Sequence, residues 1–144
     1  MKLEELIEPY PTNHGVHDRL INNVSDTNEL SPNVETIAKN AYYRVSDKGK
    51  PCGYIEGDID LLQMFSDYEK YSLYDWNEIP FNDATLLVFE MKSHDCTKNY
   101  HKALKQLKKS RDLIKDKTQY QCIDTFYAFN VGKGGSYSWR YEQV

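Results

Sequence analysis

Residues 85–92, Thr-Leu-Leu-Val-Phe-Glu-Met-Lys, place two charged side chains at the end of an almost continuous apolar run. Such a run predicts a central strand that is buried on both faces of a sheet. Because residues two apart in a strand point to the same face, Glu90 and Lys92 should project together on the side of Leu86 and Val88. Burying an unpaired charge is costly, so these side chains should form an ion pair, bind a metal or have shifted pKa values. An isolated Glu-x-Lys is most often a simple ion pair at a strand end.

A second predicted strand, at about 53–62, also carries acids beside its apolar residues. In Gly57-Asp-Ile-Asp-Leu-Leu62, Asp58 and Asp60 share one face, and the glycine permits a bulge or a close backbone approach. If this strand pairs antiparallel with the Glu90 strand, an acid of one strand can lie beside an acid of the other at one rim of the sheet. Convergent carboxylates repel each other, and a divalent cation relieves the repulsion. With no His/Cys cluster of zinc spacing nearby, these oxygen ligands favour Mg²⁺ or Mn²⁺.

Two longer segments have helical patterns. A first helix is predicted from Pro32 to about Tyr42, because Ser31 can cap it and its apolar residues recur at three- and four-residue spacings. Glu35 borders that apolar stripe, so its carboxylate is expected to face the body of the protein. A basic helix is predicted at about 97–116, with apolar residues on one face.

The expected architecture is α/β, with a central mixed β-sheet flanked by helices in a single domain over residues 1–144. Its core covers about 31–131, with an N-terminal extension at 1–30 and a terminal hairpin strand at 132–144. The other predicted segments are a loop at 22–28, a turn at 47–51, an irregular insertion at 63–83, strands at 121–131 and 137–141, and a turn at 132–135.

The net charge of −4 hides a division along the chain. Residues 1–97 carry 8 Lys+Arg and 18 Asp+Glu, a net of −10, whereas residues 98–144 carry 10 and 4, a net of +6. Most of the positive charge lies in the predicted basic helix. This asymmetry indicates a surface for a polyanion, with an ordinary solvated helix face as the equally common alternative.

The sequence also bears on the compartment. No window approaches the roughly 18 uninterrupted apolar residues of a membrane-spanning helix, and the acidic N-terminus does not resemble a secretory signal. Cys52, Cys96 and Cys122 lie far apart, and we interpret them as buried or half-buried side chains in a reducing compartment. A soluble, cytoplasmic protein with no membrane partner is therefore expected.

In their order and spacing, these motifs resemble the PD-(D/E)XK nuclease superfamily, which includes restriction endonucleases, archaeal Holliday-junction resolvases and many phage and viral nucleases. The motifs are an acid on an early helix, then Gly57-x-Ile-Asp-Leu-Leu62, then Glu90-x-Lys92, then a helix carrying Gln106. The resemblance covers about Ser31–Val131. It implies a restriction-endonuclease-like core and a Mg²⁺- or Mn²⁺-dependent deoxyribonuclease.

The resemblance also implies a role for each matching residue. Asp60 and Glu90 would ligate the metal, often with the backbone carbonyl of Met91 as a third ligand. Glu35 would reach the metal directly or through water. Lys92 would orient or deprotonate the attacking water, or stabilise the phosphate during cleavage.

DNA is the expected partner. Gln106 would support the site or contact phosphate, and the polar face of the basic helix would bind DNA through Lys98, Lys102, Lys105 and Lys109. A homodimer is possible, because one active site cuts one strand. The main alternative is a catalytically inactive nuclease-fold protein that binds DNA or acts as a scaffold. Another is an unrelated α/β interaction protein, in which Glu35, Asp60 and Glu90 would be scattered.

Overall fold

A computed structural model describes residues 1–10, 16–66, 84–132 and 136–142. Within these ranges the sheet order is β1-β2-β3-β4-β5-β6, and β4 and β5 are the parallel pair, joined through α3. The predicted α/β class, a central mixed sheet flanked by helices, is confirmed. The elements in chain order are α1 Leu3–Leu6, β1 Glu8–Pro9, α2 Val16–Asn28, β2 Val34–Ser46, β3 Tyr54–Ser66, β4 Ala84–Lys92, α3 Thr97–Lys117, β5 Ile123–Asn130 and β6 Tyr137–Glu142.

The strand that ends in Glu90-x-Lys92 lies inside the sheet, as its composition predicted. β4 pairs antiparallel with β3 and parallel with β5. Its side chains alternate between two hydrophobic clusters, one on each face, which is what a nearly continuous apolar run requires. One cluster joins Leu86 and Val88 to Leu107 and Ile114 of α3, and the other joins Phe89 and Met91 to Ile21 and Val24 of α2.

The segment after Pro32 is a strand, so the helix predicted there is wrong. β2 runs from Val34 to Ser46 and pairs with β3 along most of its length. Its β-branched and aromatic residues fit a pleated sheet well. The spacing of its apolar residues also matched a helix, but pairing with β3 overrides that local pattern.

The helix on the second face comes earlier in the chain than predicted. α2 includes the 22–28 segment that was predicted as a loop. Leu20, Ile21 and Val24 are buried in it at helical spacing, and Leu3 and Leu6 enter the cluster on the α3 face. Residues 1–10 and 16–28 therefore contribute side chains to the hydrophobic core. The polar composition of α2 would not favour a helix in an isolated peptide, so packing against the sheet stabilises it.

A network of uncharged side chains, the Gln63 network of Ser25, Asn28, Thr36 and Gln63, ties α2 to β2 and β3. The buried Gln63 amide nitrogen donates to the Ser25 carbonyl at 3.3 Å and to Thr36 Oγ1 at 3.1 Å. Its oxygen accepts from Asn28 Nδ2 at 2.8 Å. The Ser25 and Thr36 hydroxyl oxygens are 2.8 Å apart. The amide of Gln63 thus exchanges its bonds with water for bonds within the fold.

Several smaller expectations also have an outcome. β3 continues through Ser66, so residues 63–66 belong to the sheet, whereas the rest of the predicted insertion, 67–83, lies outside the described residues. The turn predicted at 132–135 lies partly outside them as well. All three cysteines are free and exposed, so their interpretation as buried side chains is wrong. Among the helices described, none combines the length and the apolar character needed to cross a membrane.

Candidate active site

Asp60 and Glu90 face each other where the β3–β4 ladder ends. The last backbone pair is Leu61 with Phe89, so Asp60 and Glu90 are the next opposing positions. Both are nearly buried, with 7% and 5% of their surface exposed. Asp60 Oδ2 accepts the Met91 N–H at 2.8 Å, so a carboxylate replaces the backbone acceptor that a continuing strand would supply. An acid of β3 and an acid of β4 therefore lie next to each other at the end of the ladder.

An irregularity in the β2–β3 pairing coincides with Asp60. Asn40, which lies opposite Asp60 in the register, has a φ of 48°, a left-handed conformation that Asn adopts more readily than most residues. The packing changes on either side of Asp60, since Leu61 joins the cluster on the α2 face and Ile59 the cluster on the α3 face. Side chains of β3 therefore stop alternating regularly between the two faces at Asp60, where the carboxylate bonds to the backbone of β4.

Asp58, the other acid of the Gly57–Leu62 motif, has a different environment. Its Oδ1 accepts the Tyr10 hydroxyl. Gly57 allows the Tyr43 ring to approach the backbone, because a Cβ at this position would overlap the Tyr43 hydroxyl. The glycine therefore serves a close approach, and Asp60 rather than Asp58 belongs to the site.

His17, in the first turn of α2, is also bonded to Asp60. Its Nε2 lies 3.1 Å from Asp60 Oδ1. This hydrogen bond raises the pKa of His17 above its ordinary value, although burial of the ring acts in the opposite direction. His17 escaped prediction because the composition of residues 1–30 resembles a loop. The available signal was the helical spacing of Leu20, Ile21 and Val24.

Glu90 is contacted by a cation and by an amide. Lys92 Nζ lies 3.6 Å from Glu90 Oε1, and the side-chain amide of Gln106, from α3, lies against the same carboxylate; we assign the amide nitrogen to the side that faces Glu90, so that it donates to this acid. Burial raises the pKa of Glu90 well above its ordinary value of 4.5, and the charge of Asp60 raises it further, whereas Lys92 lowers it. Ionisation of Glu90 beside Asp60 is therefore disfavoured, because both charges would be desolvated and would repel each other across the end of the ladder.

The structure brings together the predicted residues Asp60, Glu90, Lys92 and Gln106. It also directs the backbone of Met91 to the same place. The N–H and C=O of one strand residue face the same neighbouring strand. Because the Met91 N–H bonds to Asp60, its carbonyl oxygen faces the gap beside Asp60 as well.

Glu35 lies outside this group, so its predicted place at the metal is wrong. It is exposed on β2 and pairs with Met64. Met64 is four residues from Asp60 along β3, a distance of about 13 Å. The charge of Glu35 acts instead on Tyr120, whose pKa is raised by burial, by Glu4 and by Glu35. The error follows from the helix predicted at 32–42, which would have carried Glu35 against the sheet.

The donors at this site suit a hard cation. Within the described residues, no group of three or more His, Cys, Asp and Glu side chains is arranged to hold a metal ion. The carboxylates of Asp60 and Glu90 and the Met91 carbonyl nevertheless form a set of oxygen donors. Mg²⁺ is often bound through one or two carboxylates and keeps several waters. The mutual repulsion of Asp60 and Glu90 is the feature that a divalent cation would relieve.

The lysines predicted to bind DNA form one exposed stripe along α3. Lys98, Lys102, Lys105 and Lys109 are all exposed. Their spacing of four, three and four residues keeps them within about 60° of one another around the helix. Gln106, which reaches Glu90, lies roughly 70° from the middle of this stripe. The lysine stripe therefore borders the helix face that closes the site.

A second cluster lies on the β5–β6 side. Asp95, three residues after Lys92, accepts the Tyr127 hydroxyl at 3.0 Å and an Arg140 N–H at 3.1 Å. The Arg140 guanidinium carbon is 5.2 Å from the centroid of the Tyr100 ring. These contacts join the turn between β4 and α3 to the outer strand of the sheet.

Comparison of the chain with protein-family models, with curated proteins and with solved structures finds no match. The likeness to the PD-(D/E)XK superfamily accordingly remains a resemblance, carried by the order of the motifs. Function must be inferred from the acid pair and the side chains that contact it.

Proposed function

We propose that this protein is a metal-dependent endonuclease that hydrolyses phosphodiester bonds in DNA. The observation that carries the proposal is the buried Asp60–Glu90 pair, with Lys92 against it at the end of β4. A sheet gains no stability from two desolvated like charges, because their burial costs free energy. Such arrangements are typical of sites that bind a cation or carry out proton transfer. The pair also has the spacing that the resemblance to the PD-(D/E)XK superfamily implies.

Asp60, Glu90 and the Met91 carbonyl would hold Mg²⁺ or Mn²⁺. When bound, the metal supplies charge neutralisation at the phosphate and a water of lowered pKa. Lys92 would orient or deprotonate the attacking water, or stabilise the negative charge that develops on the phosphate. The resemblance implies products with a 5′-phosphate and a 3′-hydroxyl.

His17 and Gln106 would hold the two carboxylates in position. Each contacts one carboxylate, His17 through Asp60 and Gln106 through Glu90. Such outer contacts commonly fix the orientation of metal ligands.

The lysine stripe of α3 would bind the DNA backbone beside this site. Each lysine that neutralises a phosphate releases counterions, which makes such binding sensitive to salt. Cutting both strands, or a junction, would require two active sites, so the proposal includes a homodimer. Three free, exposed cysteines fit a reducing, cytoplasmic setting.

The second candidate is a nuclease-fold protein without activity that binds DNA or acts as a scaffold. What favours it is that the described residues include no metal-binding group of three or more acidic, His or Cys side chains. Against it stands the retention of both carboxylates together with Lys92 and Gln106. A scaffold has no use for that combination.

The decisive experiment measures cleavage of labelled duplex, single-stranded and four-way-junction DNA with Mg²⁺, Mn²⁺ or EDTA. The wild-type protein is expected to cut at least one substrate with a divalent metal and none with EDTA. Glu90→Gln should lower the rate on the order of 10³-fold, because it removes a charged ligand at the reacting phosphate. Glu35→Gln is the matched control: the same chemical change on β2 should leave the rate unchanged.

Two results separate the candidates. Undiminished cleavage by Glu90→Gln would falsify the assignment of the site. A wild-type protein that binds DNA in every buffer and never cuts it would support the inactive DNA-binding alternative.

A further inference from the structure

The outer strand β6 carries different chemistry on its two faces. Arg140 projects to the α3 face, where its guanidinium lies over the Tyr100 ring. Trp139 and Tyr141 project to the other face, where both contact Phe126 edge-on at centroid distances of 5.5 and 5.4 Å. One edge strand therefore presents a cation on one side and two aromatic rings on the other.

The two rings lie outside the hydrophobic cluster under α2. The hydrophobic cluster under α2 includes Phe89 of β4 and Ala128 of β5, but neither Trp139 nor Tyr141. Trp139 is 53% exposed and Tyr141 43%. Neighbouring exposed aromatic rings often mark a binding surface, and at nucleic-acid interfaces such rings stack on bases.

β6 lies level with the active site. The register aligns Glu90, Tyr127 and Arg140 in one row across β4, β5 and β6. With strands about 4.8 Å apart, the backbones of Glu90 and Arg140 are separated by about 10 Å. The Arg140 side chain is 49% exposed, and its ion pair with Asp95 is made through one nitrogen. Its other N–H groups leave capacity for a phosphate.

The spacing of the rings selects among forms of DNA. Trp139 and Tyr141 are two residues apart in a strand, or about 7 Å. Bases in a duplex follow one another at about 3.4 Å along each strand, and their faces are covered by their neighbours. An extended, unpaired strand that follows the outer edge of β6 can place one base on each ring on one face, while its phosphates, at the edge, are reached by Arg140 from the other face. Asp124 restrains the Tyr141 ring by accepting its hydroxyl at 3.2 Å.

We therefore propose that β6 binds an extended single strand of DNA and leads it to the Asp60–Glu90 site. Bases stack on Trp139 and Tyr141, and the backbone contacts Arg140. This inference rests on the proposed nuclease function and specifies its substrate as DNA with an unpaired segment.

Fluorescence of Trp139 tests the proposal independently of cleavage. The chain has two tryptophans, so Trp76→Phe leaves Trp139 as the only one. This variant is titrated with a short oligothymidylate in EDTA, which prevents metal-dependent cutting. Saturable quenching is expected, because a stacked base quenches an indole ring. Absence of quenching at saturating oligothymidylate overturns the proposal.

Affinity measurements with substituted proteins locate the contact. Trp139→Ala should weaken oligothymidylate binding about tenfold and leave duplex binding within about twofold, and Trp139→Phe should restore most of the loss. Phe65→Ala is the matched control, since Phe65 is an aromatic residue of similar exposure, 42%, elsewhere on the sheet. It should change neither affinity. Equal losses for duplex and single strand in Trp139→Ala would overturn the proposal.

The remaining outcomes are also informative. Tighter binding of oligouridylate than of oligothymidylate would overturn the assignment to DNA. Trp139 fluorescence that depends on protein concentration without DNA would show that β6 is an interface between copies of the chain, and would also overturn it. Quenching without any cleavage would support this surface and refute the proposed enzyme, whereas cleavage without quenching would do the reverse.

Discussion

β3 carries two buried polar clusters, centred on Asp60 and Gln63, only three residues apart. The Gln63 network is uncharged, and its amide bonds to groups of α2 and β2. In the Asp60–Glu90 pair, burial raises the pKa of Glu90 well above its ordinary value, and the charge of Asp60 raises it further. The hydrogen bonds of the first cluster offset the cost of its burial, whereas the contacts of the second cluster leave the charge on Glu90 disfavoured. We infer that the first maintains the fold, whereas the second is suited to a ligand.

Lys92→Ala should cause the largest change, because Lys92 contacts the acid pair to which we assign the cleavage reaction. Single-turnover cleavage should slow by a factor on the order of 10²–10⁴, the usual effect of removing a positioned acid–base group. DNA affinity, measured in Ca²⁺, should change little. Lys98→Ala, on the exposed stripe, is the control and should cut at the wild-type rate on saturating DNA. A collapse of affinity with a normal cleavage rate would make Lys92 a docking residue.

Gln63→Ala should affect stability instead. The free energy of unfolding is expected to fall by about 2–3 kcal/mol, since the substitution leaves a cavity and removes one hydrogen-bond partner each from Asn28 and Thr36. Urea denaturation measures the loss. Gln121→Ala, at an exposed glutamine, should stay within about 0.5 kcal/mol of wild type. If Gln63→Ala stays folded but no longer cleaves DNA, the two clusters are not independent.

Charge reversal on α3 tests whether the Asp60–Glu90 side of the molecule faces DNA. The double change Lys105→Glu and Lys109→Glu should weaken binding and reduce its salt dependence by about one unit of slope per lost phosphate contact. Lys108→Glu is the control, because Lys108 is exposed but lies about 90° around the helix from the lysine stripe. An unchanged slope in the double variant would make the stripe an ordinary solvated surface.

Glu90→Gln should have the smallest effect on stability, a gain of up to about 1 kcal/mol at neutral pH without metal. The pKa of Glu90 is higher in the folded protein than its ordinary value of 4.5, so the folded state binds the proton more tightly. Wild-type stability therefore falls as the pH rises from about 4.5 through the raised pKa, whereas Gln does not titrate. The gain should be absent near pH 4 and grow toward neutral pH. Urea denaturation in EDTA checks it, and lower stability of the variant at neutral pH would show that the pair supports the fold.

The sequence by itself determined the features that depend on local geometry. The apolar run at 85–92 is a central strand, and side-chain alternation within it joins Glu90 to Lys92. The basic helix, predicted at 97–116, spans Thr97–Lys117 with its lysines exposed. These predictions were confirmed because the side-chain periodicity of a strand or a helix does not depend on the elements that pack against it.

Tertiary structure decided the rest. Val34–Ser46 is compatible with a helix or a strand, and its pairing with β3 selects the strand and carries Glu35 away from the site. α2 forms because Leu20, Ile21 and Val24 can be buried on the sheet, and this packing brings His17 to Asp60. Local propensities differ by less than about 1 kcal/mol per residue. Contacts between distant segments exceed that difference, so where a local pattern allows two structures, the contacts choose between them.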